Sequence, residues 1–330
     1  MSFENLTFRL DVPAAAKAIA PHIRRTPVME LQELEEPGGG RVFLKLENLQ
    51  VTGSFKVRGA ANRLLALSDP ERIRGVVTCS SGNHGKAVAH MAGVLGIPAV
   101  LCVPDWVDPV KLAGMEKAGA RVVLSGRSYD EAEAKAAALG EAEGRVFVQP
   151  FDDPWIAAGQ GTLGLELLEQ VPLLETVVIP VSGGGLAGGT AYALKERRPE
   201  IRVVGVSAAN ARVMYESLRA GKPIRMEEEE TLAEALSGGI GLTNRFTFPL
   251  IRELIDEHVL VSEEEIRSAM LFASGSMGVL LEGGGAVGLA ALLSRRFVLG
   301  GEMGTGSTAV ILSGGNISLP RLQKLTEDSP

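Results

Sequence analysis

Apolar and polar positions alternate in blocks along this chain. Short runs rich in Val, Ile and Leu recur at 41–46, 75–80, 99–103, 121–124, 145–148, 176–181, 201–206, 259–261 and 308–312, and runs of that length and composition predict strands. Longer Ala-, Leu-, Glu- and Lys-rich stretches at 85–95, 110–117, 129–143, 157–170, 187–197 and 263–273 separate them. These predict helices, some with acidic residues in the first turn. Strands alternating with helices imply an α/β chain whose mostly parallel sheets are flanked by helices on both faces. Glycine-rich turns directly follow three of the strands, at 80–85, 182–189 and 313–316. That is the carboxyl edge where open α/β sheets bind ligands.

With 330 residues the chain has room for two domains. Hydrophobic residues make up 45% and charged residues 22%, so a large core forms without a disulfide framework and disorder of the whole is excluded. The net charge of -7 comes with no basic stripe, which argues against nucleic acid as a partner. The dense run Glu227-Glu228-Glu229-Glu230 reads as a solvated surface turn. Cys79 and Cys102 fall in apolar runs and read as buried thiols of a reducing compartment. His22, His84, His90 and His258 include no i, i+4 pair, so no metal site is expected. The N-terminus lacks a basic-then-apolar leader and no apolar stretch reaches membrane-spanning length. The expectation is a soluble cytoplasmic protein acting on a small molecule.

Val177 to Gly188 reads strand, glycine turn, helix. Glycines let a backbone approach a ligand closely, and the helix N-terminus adds partial positive charge, so a phosphate is the expected guest. Gly183, Gly185 and Gly188 also satisfy the dinucleotide pattern G-x-G-x-x-G. That pattern requires an acid about 20 residues on to hold a ribose hydroxyl. The next strand instead ends in Ser207-Ala208-Ala209-Asn210. An NAD-dependent dehydrogenase is thus disfavoured, and a monophosphate cofactor fits better.

The segment Lys45-Leu46-Glu47-Asn48 through Gly53-Ser54-Phe55-Lys56-Val57-Arg58-Gly59 holds a lysine beside a small-residue turn. Together with Ser80-Ser81-Gly82-Asn83-His84, Ser182 to Leu186 and Ser313-Gly314-Gly315-Asn316, it resembles the serine/threonine dehydratase–serine racemase family. These are pyridoxal-phosphate (PLP) enzymes of fold type II, the tryptophan-synthase-β class. The resemblance implies two domains: a large one at 1–68 and 148–330, and a small one at 69–147. It implies Lys56 as the Schiff-base lysine and the base for the α-proton, with Phe55 packed beside the cofactor. Asn83 would meet the phenolic oxygen, Ser182, Gly183, Gly184, Gly185 and Leu186 the phosphate, Ser313 the pyridine nitrogen, and Glu282 would lie near the cofactor. The turn Ser80, Ser81, Gly82, Asn83 and His84 would hold the substrate carboxylate. The implied activity is removal of water and then ammonia from a β-hydroxy amino acid of the L-threonine or L-serine type, by a homo-oligomer of two or four chains.

Some residues depart from the commonest family pattern. Ser81 stands where many threonine dehydratases carry Ala, and the family's racemases use this serine as a second base; amino-acid racemisation is therefore an alternative. Phe151 matches the dehydratases instead. Ser207 and Val213 replace the acids of metal-dependent members, so no cation is expected there. Lys86 opposes the helix dipole. It either extends into water or reaches an anionic group on the substrate, which keeps 3-hydroxyaspartate and the dehydratases of hydroxyectoine catabolism as alternatives. A regulatory C-terminal domain like that of biosynthetic threonine deaminases, and isoleucine feedback through it, is not expected.

Overall fold

The computed structural model describes residues 5–32, 40–107, 109–299 and 306–327. The chain opens with α1 (Val12–Ile19), β1 (Val28–Glu30), β2 (Val42–Leu46) and α2 (Lys56–Leu65). Next come α3 (Asp69–Arg74), β3 (Val76–Cys79), α4 (Asn83–Leu95), β4 (Ala99–Val103), α5 (Pro109–Lys117), β5 (Arg121–Leu124), α6 (Tyr129–Glu143) and β6 (Val146–Phe147). Then follow α7 (Pro154–Gln170), β7 (Leu174–Pro180), α8 (Gly185–Arg197), β8 (Arg202–Ala208), α9 (Val213–Ala220), α10 (Thr247–Leu254) and β9 (Glu257–Val261). The last elements are α11 (Glu263–Gly275), α12 (Gly283–Leu293), β10 (Ser307–Leu312) and α13 (Leu319–Glu327).

The strands form two sheets, β1-β2-β10-β7-β8-β9 and β5-β4-β3-β6. Every pairing is parallel except β1 with β2, which matches the α/β fold expected from the sequence. Apolar side chains fill both faces of the larger sheet. Leu163, Ala187, Tyr192 and Leu250 from α7, α8 and α10 cover one face, and Ile266, Met270, Val287 and Leu289 from α11 and α12 cover the other. Sheets buried on both sides favour continuous β-branched strands, and β7 and β10 are buried almost throughout.

All nine strands expected from the sequence are present, with ends shifted by at most two residues, and β1 is an addition. The six expected helices are also present, α6 with unchanged ends. Seven further helices among the described residues, α1, α2, α3, α9, α10, α12 and α13, were not among those expected, and α2 and α12 illustrate two different reasons. Helix α12 (GGGAVGLAALL) is buried on nearly all sides, so it lacks the amphipathic stripe that marks a surface helix. Helix α2 follows a turn whose φ of +77° at Gly53 is set by tertiary contact. A Cβ there would lie 2.4 Å from Asn316 Oδ1. The expectation for the thiols needs correction: Cys102 is buried, but Cys79, at the carboxyl end of β3, is only half-buried.

Candidate active site

Because the strands run parallel, their carboxyl ends share an edge, and β10 lies between β2 and β7. This order brings the segment after β2, which ends at Lys56, beside the Ser313 loop after β10 and the glycine loop after β7. Two backbone contacts join the first pair: Ser54 bridges to Gly314, and Phe55 N–H donates to Ser313 O at 3.0 Å.

Lys56 is the first residue of α2. Its Nζ donates to the Pro150 carbonyl at 2.8 Å and lies 5.4 Å from the Phe55 ring centre. Burial disfavours the ammonium form and lowers its pKa to about 8. A sizeable share of neutral, nucleophilic amine therefore exists near neutral pH. Lys45 and Arg58, in the same segment, have a structural place instead. Fully buried Arg58 makes two bonds of 2.8 Å to the Glu47 carboxylate and also reaches Glu166. Lys45 donates to Glu166 at 2.5 Å, Gln170 Oε1 at 2.7 Å and Thr26 O at 2.7 Å.

The glycine loop precedes α8, a helix of 13 residues. Gly184 has a φ of +88°, which favours glycine. A Cβ at Gly183 would come within 2.3 Å of the Phe151 ring, and one at Gly185 within 3.2 Å of Phe151 Cα. Glycines are thus required on the Phe151 side, and the helix start offers N–H donors to an anion. Ser182 Oγ donates to Leu236 O at 2.8 Å. No local pattern in the sequence marks the anchor of this corner. The Asp152 carboxylate accepts from the N–H groups of Arg245, Phe246 and Thr247 at 2.8 to 2.9 Å, fixing Phe151 against the start of α10.

The turn 80–84 opens α4, and Gly82 N–H donates to Ser80 Oγ at 3.2 Å. Ser81 and His84 are buried. His84 Nε2 lies 3.1 Å from Val148 O, and burial, with the nearby Lys56 charge second, lowers its pKa to about 3. Its ring stays neutral and pins the connection leading to Pro150. Asn83 Nδ2 donates to Glu282 Oε1 at 2.5 Å, and Asn83 Oδ1 accepts from Asn316 Nδ2 at 2.6 Å. Lys86 Nζ donates to Asn316 Oδ1 at 2.7 Å. Burial lowers the Lys86 pKa, and the Glu282 charge opposes that shift. Ser313 is buried and its Oγ donates to Gly284 O at 3.3 Å. Lys56, Asn83, Glu282, Ser313 and the glycine loop thus all lie along the carboxyl ends of the two sheets.

Among the described residues no group of three or more His, Cys, Asp or Glu is placed to hold a metal ion, and no helix is long and apolar enough to cross a membrane. The Glu227–Glu230 run is exposed.

These residues suit a phosphorylated aldehyde: an amine with lowered pKa, an anion cradle that side chains larger than glycine would obstruct, and the polar groups of Asn83, Glu282 and Ser313 along the same carboxyl ends. Residues 19–314 match the family described as pyridoxal-phosphate dependent enzyme. The chain is 42% identical over 315 residues to the L-threonine ammonia-lyase of Thermotoga maritima, covering 96% of this chain and 77% of that one. It is 39% identical over 316 residues to the catabolic L-threonine dehydratase TdcB of Escherichia coli K12, covering 96% and 95%. Among solved structures, maize serine racemase superposes with a TM-score of 0.88 at 36% identity, covering 96% of this chain and 95% of the other. The monophosphate cofactor expected from the glycine loop is borne out. The chain belongs to the pyridoxal-phosphate dependent enzyme family, and its cofactor is pyridoxal phosphate.

Proposed function

We propose that this enzyme removes water and then ammonia from a β-hydroxy amino acid of the L-threonine or L-serine type, giving a 2-oxo acid. The observation that carries this reading is the Lys56 amine, its pKa lowered to about 8, at the carboxyl edge of the sheet that carries the glycine loop, with the Asn83 turn at the carboxyl end of β3 in the other sheet. When bound, PLP supplies an electron-withdrawing ring that acidifies the substrate's α-proton.

Ser182, Gly183, Gly184, Gly185 and Leu186 would hold the phosphate through backbone N–H groups, Phe55 would pack beside the ring, and Asn83, held by Glu282, would meet the phenolic oxygen. The N–H groups of Ser80 to His84 take the substrate carboxylate at the start of α4. Lys56 takes the α-proton as a neutral amine, and the β-hydroxyl departs with a proton as water. The released enamine regains that water on hydrolysis, so the net products are the 2-oxo acid and ammonia. Ser313 would supply the pyridine nitrogen with a neutral hydroxyl, a weaker partner for a pyridinium than a carboxylate, which would suit elimination better than long-lived carbanion chemistry. Lys86, one turn along α4 from Asn83, would meet the second anionic group if the substrate were 3-hydroxyaspartate or a hydroxyectoine-derived acid instead.

The same reading divides the chain into a large domain (1–68 and 148–330) and a small one (69–147) and carries a cytoplasmic homo-oligomer of two or four chains. A second reading, racemisation, is favoured by Ser81, which is buried in the turn that would take the substrate carboxylate and would serve as the second base. Proton NMR in D₂O of the PLP-loaded protein with L-serine, L-threonine and L-threo-3-hydroxyaspartate separates the two. Appearance of a 2-oxo acid is the expected result. Loss of the α-proton signal with the β-hydroxyl intact would transfer the assignment to the racemase.

A further inference from the structure

His258 lies outside the site described above. It sits on the edge strand β9, opposite Gly205 of β8. Its Nε2 is 2.9 Å from Ser207 Oγ. Ser207 is fully buried, and its hydroxyl donates its proton to the Val181 carbonyl at 2.7 Å. A hydroxyl has one proton to give. With that proton on Val181, the contact to His258 must run from imidazole N–H to the hydroxyl lone pair. This fixes the tautomer: Nε2 carries hydrogen, and Nδ1 is left with a lone pair. Nδ1 is buried with no hydrogen-bond partner. The Tyr215 ring packs edge-on against the imidazole, with ring centres 5.3 Å apart. Burial lowers the His258 pKa to about 4, so the ring is neutral at physiological pH.

The far end of this chain of hydrogen bonds lies next to the glycine loop. Val181 immediately precedes Ser182, and the peptide joining them is trans. In a planar trans peptide the carbonyl and the following N–H point in opposite directions. Holding Val181 O on Ser207 therefore aims the Ser182 N–H, the first donor of the loop, away from β8. Val181 N–H is also fixed, on Val206 O at 2.7 Å, so both polar groups of this residue are tied to β8.

We infer that His258 and Ser207 are positioning residues for the cofactor phosphate, acting through the Val181 carbonyl on the Ser182 N–H. The proposal rests on the assignment of 182–186 to that phosphate.

The test uses the PLP-loaded protein and reads cofactor affinity by spectrophotometric titration and the phosphate environment by ³¹P NMR. His258→Leu and Ser207→Ala are each expected to weaken PLP affinity about tenfold, the upper range for one hydrogen bond, and to shift the ³¹P resonance. His258→Gln keeps a donor and is expected to restore most of both. The double variant is expected to be no weaker than Ser207→Ala alone, because the two residues act in series. A His258→Leu protein that melts earlier but keeps its affinity and ³¹P shift overturns the proposal, as does His258→Gln behaving like His258→Leu. If His258→Leu fails to fold, Ser207→Ala decides, with unchanged affinity and resonance counting against the proposal. Gly184→Ala tests the underlying assignment separately. An unchanged resonance there removes the phosphate from this loop and overturns the proposal at its base.

Discussion

Two lysines eleven positions apart show how much of this site is environment. Lys45, in β2, is fully buried, and burial lowers its pKa, but Glu166 at 2.5 Å opposes that shift. Gln170 and the Thr26 carbonyl satisfy the ammonium further. Lys56 hydrogen-bonds a neutral carbonyl, and burial lowers its pKa to about 8. A buried amine beside a carboxylate is stabilised as a cation and becomes a structural tie. A buried amine beside a neutral acceptor releases its proton more readily and becomes available for chemistry.

Exchanging each lysine for a neutral residue separates these roles. Lys56→Ala is expected to lower turnover by about 10³-fold or more, within the range of lost proton transfer, and to abolish covalent cofactor attachment, both read on the purified protein. Lys45→Met leaves Glu166 with only part of its compensation. It is expected to cost about 3 kcal/mol of stability, the low end for breaking a buried ion pair, while the cofactor spectrum is retained; denaturant unfolding and absorbance check both halves. The comparison would fail if Lys45→Met lost the cofactor spectrum while keeping its stability.

The smallest effect is a pH dependence. The folded-state pKa of Lys56 is lowered, so between about 8 and the ordinary lysine range the unfolded chain binds more protons than the folded one. Stability of the cofactor-free protein is expected to rise with pH through that window, and Lys56→Met to flatten the rise. His84 and His258 carry the same sign lower down. Their pKa values fall to about 3 and about 4, so stability drops as pH falls below the ordinary histidine value. Melting temperatures across pH 4–10 (a range of about six units) for the wild type and Lys56→Met would show both slopes.

Much of the fold was legible because a strand buried on both faces needs a continuous apolar run, and β3, β4, β7, β8 and β10 all have one. The glycine loop was legible for a similar reason: close approach and helix-start geometry leave few residue choices. Helix α12 was not, since uniform burial erases periodicity. Asp152 was not, because its partners Arg245 to Thr247 lie more than 90 positions away. Nothing local marks a carboxylate that caps a distant helix.

Sequence alone determined the alternation of strands and helices, the glycine turns at carboxyl ends and the four ordered motifs, because these depend on local backbone chemistry and on which side chains tolerate burial. Tertiary structure decided that β10 inserts between β2 and β7, which brings segments distant in the chain to one edge. It also decided which of two neighbouring lysines loses its proton more readily, and that Ser207 holds the carbonyl before the glycine loop. Strand order, desolvation and long-range hydrogen bonds exist only once the chain has packed, so no window of the sequence contains them.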